Sequence, residues 1–383
     1  MEHRYTFAIY DSVNRLPGDW DDLASDNIFL TKRYFSVLEN SGPLNMTSKF
    51  IGIFDGQNLV GIALSQFLDL NMLESFGERD KCVRTTVRNF IFKRFSSHVL
   101  FIGNNMLTGQ NAFYFKPDVD MDSALSTLKN AANEVARSYG KSGKKVHVIT
   151  YKDFLPNEID QLKKSGFSDF FRFSAQPNMV LDIRPNWKSF DDYVADITKK
   201  YRDQYKRARK KSEGLEKRKM HLDEIGRYEE KIYDLYHHVA LNAPFNTFFL
   251  AKNHFTKLKQ ELADDFLFYG YFLDGKLVGF NTLIKNGCVL DTYFLGYDDS
   301  VQREHMLYLN MLYDMITFGI NKGFQKIIFA RTALEIKSSV GAESIETFGL
   351  MKHRNKLVNR KLDKIFDYLE PKVDWQKRNP FKE

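Results

Sequence analysis

The chain has 383 residues, 43% hydrophobic and 27% charged, a length that allows two or three domains at roughly 100–200 residues each and a composition that excludes disordered and collagen-like chains. Fifty-six Lys and Arg against 49 Asp and Glu leave a net charge of +7, which is mild for a dedicated nucleic-acid binder. Cys82 and Cys288 stand far apart, with no C-x-x-C and no neighbouring His pair, so neither a disulfide framework nor a zinc site is signalled.

In chain order, Met1-Glu2-His3-Arg4 lacks the apolar core of a signal peptide, and apolar runs such as Phe266 to Leu273 are too short to span a bilayer. A cytoplasmic location is expected. Residues 50–67 read as an apolar run, Asp55-Gly56, then Leu59-Val60-Gly61 and a second apolar run, and residues 266–284 repeat the pattern around Asp274-Gly275 and Leu277-Val278-Gly279. Each is a β-hairpin signature. The elements that follow recur in the same order. In the first half these are a strand from Val99 to Gly103, a helix from Met121 to Tyr139, a strand from Val146 to Tyr151 and a stretch from Phe170 to Ile183. In the second they are a strand from Cys288 to Gly296, a helix from about Gln302 to Asn321, a strand from Lys326 to Ala330, a helix or loop through Gly341, and a final stretch from Ile345. The pattern predicts an α/β fold of mixed sheets used twice. Pro185 forbids ladder pairing and biases Arg184 toward an extended conformation, so the expected domains are 1–184 and 185–383.

The second domain opens with a predicted basic helix, about 189–212, introduced by Ser189 and Asp192 as an approximate capping box. Val194, Ile197, Tyr201, Tyr205 and Ala208 share one helical face, while Lys199 to Lys211 carries eight basic residues against Asp203. A second helix is predicted from about Asp223 to Ala240.

Two segments carry a family resemblance. Ser189-Phe190-Asp191-Asp192-Tyr193 running into Lys199-Lys200-Tyr201-Arg202, and Arg331-Thr332-Ala333-Leu334-Glu335-Ile336-Lys337 leading to Gly341, resemble segments of the FemAB-like, Fem-type aminoacyltransferases. These are relatives of the tandem GNAT acyltransferases. The resemblance implies two tandem GNAT-like domains and an N-acyltransferase or aminoacyltransferase. It would move an acyl group from an acyl-CoA, an acyl-carrier protein or an aminoacyl-tRNA, used as co-substrate with no tightly bound cofactor, to a small-molecule or lipid- or nucleotide-linked amine. It further implies that Lys337 contacts the substrate or the reacting carbonyl, with Arg331 and Glu335 shaping the pocket. As a purely structural alternative, Lys337 is an exposed cation and Arg331 and Glu335 an i, i+4 pair. The glycine-rich loop of CoA users is missing, since Asp298 to Met306 contains no glycine and Lys116 to Asp122 is acidic. The long coiled-coil insertion of the Fem-type enzymes is missing too.

Acyl transfer to an amine requires a neutral amine, a donor carbonyl held beside it and hydrogen-bond donors aimed at the developing oxyanion. Strict alternation places Asp291, Tyr293 and Tyr297 on one face of their strand. Asp291 then accepts a proton or orients the amine, and Tyr293 donates one to the leaving group. The structural alternative is that Tyr293 and Tyr297 are core aromatics and Asp291 pairs with a loop. Charge is segregated: residues 199–219 carry net +8 and residues 352–383 net +5, leaving −6 elsewhere. Lys200, Arg202 and Lys206 are accordingly expected to bind a phosphate-bearing substrate, a tRNA or an anionic membrane surface. Metal sites fail on inspection, because Asp118 to Lys129 lacks the calcium-loop glycine and terminal acid and His237-His238 cannot face one metal from a helix. The alternative to an enzyme is a non-catalytic GNAT-like module that binds an anionic lipid or polymer.

Overall fold

A computed structural model describes residues 4–72, 97–174, 176–243, 246–362, 364 and 375–382; Cys82 and residues 365–374 of the basic tail lie outside them. Two compact units form, one of residues 1–175, 247–251 and 346–372, the other of residues 176–246, 252–345 and 373–383. Each surrounds one mixed sheet. No helix among the described residues is long and apolar enough to cross a membrane.

In the first unit β1 (Thr6–Tyr10), the short helices α1 (Trp20–Leu23) and α2 (Lys32–Ser41), β2 (Met46–Asp55) and β3 (Asn58–Asp69) build an antiparallel meander. Its β2–β3 turn is the expected hairpin, with Gly56 at φ +59°. β3 also pairs with β4 (His98–Ile102) and β5 (Phe113–Phe115). α3 (Met121–Lys141) is the crossover that parallel pairing of β4 with β6 (Val148–Phe154) demands. Its Leu125, Leu128, Ala132, Val135 and Tyr139 recur at helical spacing and enter the core with Ile51, Leu100 and Ile149. α4 (Pro156–Leu162) and β7 (Phe171–Ser174) follow.

The second unit runs β8 (Asn178–Asp182), α5 (Phe190–Asp196), α6 (Lys199–Lys211), β9 (Glu216–Lys219), α7 (Leu222–Arg227), α8 (Glu229–Asn242), α9 (His254–Leu262), β10 (Phe266–Leu273) and β11 (Lys276–Asn286). It continues through β12 (Val289–Tyr297), α10 (Asp299–His305), α11 (Leu307–Asn321), β13 (Lys326–Ala330), α12 (Leu334–Ser338) and β14 (Glu343–Ile345). Its sheet order is β14-β8-β13-β12-β11-β10-β9. The Asp274-Gly275 turn has both residues at positive φ, +49° and +74°, as a two-residue hairpin requires.

Several features differ from the sequence reading, among them the helix predicted from about Asp223 to Ala240, which divides at Tyr228 into α7 and α8. The units do not follow a single cut at 184. The predicted stretch Phe170 to Ile183 divides into β7 and β8, and β8 joins the second sheet. The last strand, β15 (Phe348–His353), which precedes α13 (Lys356–Asn359), pairs between β6 and β7 of the first sheet. The basic helix is broken: Ile197 is extended at ψ 153° and bridges to Phe381, while the Thr198 N–H donates to Pro380 O at 2.8 Å. Both flanking helices still bury Tyr193, Ile197, Tyr201 and Ala208 in one core, so the periodicity was real and the continuity was not. The helix predicted from about Gln302 to Asn321 breaks at Met306, which is left-handed at φ 49°. There the Asn310 amide donates to His305 O, Met306 O and Ala208 O, so the carbonyls freed by the break stay satisfied.

The seat of α8 on β12 depends on Gly296. A Cβ there would lie 2.6 Å from the Leu235 carbonyl carbon and the Tyr236 nitrogen, both of them backbone atoms that cannot swing aside. Gly296→Ala is therefore expected to cost about 2–3 kcal/mol of stability, read as a lowered urea midpoint with unchanged slope.

Candidate active site

The second sheet forks. β12 and β13 run parallel and stay paired only over Val289–Asp291 against Lys326–Ile328. Beyond that, β12 carries a bulge: its register to β11 passes from Leu283↔Thr292 to Asn281↔Leu295, one residue too many, at Tyr293-Phe294. β13 ends in backbone of the opposite character, since Ala330, Thr332 and Ala333 all take left-handed φ, +58°, +67° and +48°. For residues bearing a Cβ this costs roughly 1–2 kcal/mol each and persists only where the surroundings enforce it.

Lys337 enforces it. α12 carries its side chain back under the strand end, where Nζ donates to Arg331 O at 2.7 Å and Ala330 O at 3.3 Å. The residue is only 4% exposed. Burial without a carboxylate partner pushes its amine down to about 7. The sequence reading of an exposed cation is thereby replaced by a buried amine.

Asp291 lies at the last position of β12 that pairs with β13, buried, with one carboxylate oxygen lacking a hydrogen-bond partner. Burial pushes its carboxyl up to about 7, with a bond from the Asn286 side chain working against the shift. No ion pair joins Asp291 to Lys337 among the described residues. Tyr293, in the bulge, places its hydroxyl 3.0 Å from Nε2 of His254, and the two rings stack. His254 opens α9 and is fully buried. Sequence reasoning missed it, because a lone histidine at the start of an amphipathic helix carries no signal of what it touches. Tyr297 requires a correction. Asp291 pairs with Ile284 and Tyr297 with Gly279, positions of opposite parity on β11, so the bulge moves Tyr297 to the other sheet face. It packs there against Tyr308.

The remaining predicted residues distribute around α6 and α12. Arg331 Nε donates to Gln176 O at 3.1 Å. Glu335 receives the Gln376 N–H and the Arg378 guanidinium, both at 3.2 Å, and so fastens residues 376–378. Lys200 lies over the Tyr201 ring, Arg202 donates to Ile197 O, and Lys206 is exposed. Gln204, one turn from Lys200, donates to Ser339 Oγ at 3.3 Å and so brings α6 to the turn that follows Lys337. Arg209 and Lys217 pair with Asp314 at 2.8 and 3.3 Å, with Tyr271 donating to the same carboxylate; these two cations hold the fold.

At the β12–α10 junction, where a CoA pyrophosphate would meet backbone N–H groups, the protein's own Asp298 carboxylate accepts from Ser300 N at 2.9 Å and Ser300 Oγ at 2.5 Å. With no glycine in the loop, these residues do not fit a pyrophosphate grip. The first unit contains a counterpart to the fork. β4 and β6 pair in parallel over Val99–Ile102 and Val148–Tyr151. The buried Lys152 then donates to Asn104 O and Leu107 O, both at 2.9 Å, and pairs with Asp153.

The two shifted groups have opposite linkage signs. Between about pH 7 and 10.4 Lys337 is neutral when folded and protonated when unfolded, so the unfolded chain binds more protons and stability rises with pH. Between about pH 4 and 7 Asp291 is protonated when folded and ionised when unfolded, so stability falls as pH rises. Urea unfolding across pH should show wild type gaining about 2 kcal/mol over Lys337→Met between pH 7.5 and 9.5, and Asp291→Asn losing the downward slope below pH 7.

The family model FemAB-like, described as peptidoglycan biosynthesis/recognition, matches residues 101–374. No curated protein matches the chain in sequence. Among solved structures, FemX aligns with a TM-score of 0.52 at 12% identity, covering 91% of this chain and 98% of its own. A tandem GNAT protein from the clavulanic acid biosynthesis pathway gives 0.51 at 11%, covering 91% and 98%. A conserved protein of unknown function from Bacteroides thetaiotaomicron gives 0.52 at 11%, covering 90% and 99%. At these identities the likeness is one of fold, two GNAT domains in tandem. With some seven-tenths of its length matched, the chain belongs to the FemAB-like family.

Proposed function

We propose that the protein is an N-acyltransferase or aminoacyltransferase that moves an acyl group from a thioester or aminoacyl ester to an amine, with the reacting atoms held at the fork of β12 and β13. The observation that carries this reading is the buried amine of Lys337, without a carboxylate partner among the described residues, at the strained end of β13. Parallel strands that separate leave backbone N–H groups without ladder partners, and such groups suit an oxyanion. Asp291, poised near neutrality, takes the proton from the attacking amine. The amine adds to the donor carbonyl, the Lys337 ammonium stabilises the tetrahedral oxyanion, and collapse expels the thiol or the alcohol. Tyr293 protonates that leaving group and is reprotonated through His254.

The family description supports an acceptor from cell-envelope metabolism. The exposed cations of α6, Lys200 and Lys206 among them, support an acceptor that carries phosphate. The filled helix start at Asp298 disfavours a donor held by its pyrophosphate and favours one held through a carrier protein or tRNA.

Purified protein assayed with acyl-CoA, acyl-carrier protein and aminoacyl-tRNA donors against a panel of amines should transfer from at least one donor. Its rate should peak near pH 7, where ionised Asp291 and protonated Lys337 coexist. Lys337→Met should lower kcat by about 100-fold or more, and Asp291→Asn should remove the acidic limb of the profile. Absence of transfer from every donor, with charge reversal at Lys206, Arg207, Lys210 and Lys211 abolishing binding to anionic vesicles, would replace the enzyme by a binding module.

A further inference from the structure

A second site lies at the opposite end of the same sheet. A groove of about 580 Å³ is lined by Lys219 of β9, Leu267 and Tyr269 of β10, Lys285 of β11, and Phe318, Lys322 and Phe324 at and beyond the end of α11. The pairings Lys219↔Tyr269 and Leu267↔Leu283 place the strand residues on one sheet face. Phe324 precedes β13, so the groove sits at the start of the strand whose far end forms the fork.

The chemistry of the lining is specific. Phe318 and Phe324 stack with ring centroids 6.2 Å apart, and Tyr269 meets Phe318 edge-on at the same distance. Gly323, at φ +73°, closes α11 with paired bonds from Gly323 N to Ile320 O and Phe324 N to Gly319 O. That motif fixes Phe324 and occupies helix-end carbonyls that would otherwise repel an anion. Around this floor stand three ammonium groups. Among the described residues neither Lys285 nor Lys322 has a carboxylate within ion-pair distance. The one acid lining the groove, Asp264, is 87% exposed and reaches Lys219 only at 3.8 Å. Lys217 sits over the Tyr269 ring at 4.6 Å. The buried Lys259 is held below its usual range by desolvation first, then by Lys219 and, to a smaller extent, Lys285, with Asp264 working against the shift, so the cations feel one another. Like charges gathered over an apolar floor are unfavourable until an anion joins them.

We infer that this groove binds a nucleoside phosphate, its ring on Phe318, Phe324 and Tyr269 and its phosphates among Lys219, Lys285 and Lys322. The volume falls within the range of small-molecule sites, aromatic faces accept any base, and lysine is a natural point-charge partner for phosphate. None of these residues takes part at the fork, so the groove is a separate site whether or not acyl transfer occurs there.

Calorimetric titration of the full chain with UDP, ADP, uridine and inorganic phosphate tests it. Both nucleoside diphosphates should bind at least about tenfold more tightly than uridine or phosphate. The double variant Lys285→Glu with Lys322→Glu, at half-buried and exposed positions respectively, should lose that binding while unfolding at the wild-type temperature. Phe318→Leu keeps an apolar filler but removes the ring, and should bring UDP close to the affinity of phosphate alone. Diphosphates that bind no better than phosphate, that fail to bind, or that bind the double variant as well as wild type would overturn the assignment; the last outcome would move the ligand to another surface, including the fork. Lys337→Met should bind UDP normally, which separates this site from the proposed reaction.

Discussion

Parallel pairing that stops after three residue pairs is the constraint on which the second unit depends. Two strands pulled apart need a cause on each side, and the chain supplies both: an extra residue in β12 and three left-handed residues at the end of β13. The strain on the β13 side is offset by the two hydrogen bonds of Lys337. The lysine is therefore a structural clasp whose burial also makes it chemically active, since an ammonium removed from water without a counter-ion is driven toward its neutral form. The first unit uses the same topology with one different choice. Lys152 also bridges carbonyls beyond a parallel pair, but Asp153 stands beside it. Among the described residues Lys337 has no such carboxylate, and burial drives its amine down to about 7. One carboxylate separates the two halves of a duplicated fold.

The positive charge divides in the same manner. Arg209 and Lys217 are drawn onto Asp314 under Tyr271, whereas Lys199, Lys200, Lys206, Arg207, Lys210 and Lys211 face outward. The net charge of residues 199–219 is thus part scaffold and part surface. Glu335, adjacent in sequence to the strained loop, is used by the C-terminal segment and not by the fork. It holds Gln376 and Arg378, just before Pro380 and Phe381, which meet Thr198 and Ile197 where the basic helix breaks.

The hairpins, the crossover helices and the repeat were legible in the sequence because they rest on local rules: two-residue turns, amphipathic periods and the length that a parallel crossover needs. The bulge was not legible. Alternation assumes an unbroken ladder, and one extra residue at Tyr293-Phe294 inverts every later side chain, which is why Tyr297 was assigned to the wrong face. The helix break at Ile197 was hidden because both pieces keep the same apolar stripe. Lys337 was visible through family resemblance alone, since its importance comes from burial. His254 had no sequence signal, because its partner Tyr293 lies 39 residues away on another element.

The placement of β15 has a consequence for how the protein comes into being. Among the described residues β7 pairs with β15 alone, and one edge of β6 waits for the same strand. Both are made almost two hundred residues before their partner. On the ribosome the first sheet therefore stays open through synthesis of nearly the whole second unit, its unpaired edges exposed to off-pathway association. Residues 1–175 alone therefore lack one strand of the first sheet, and a chain cut before Phe348 loses the strand that joins β6 to β7. A strand encoded after the second sheet's strands thus completes the first sheet.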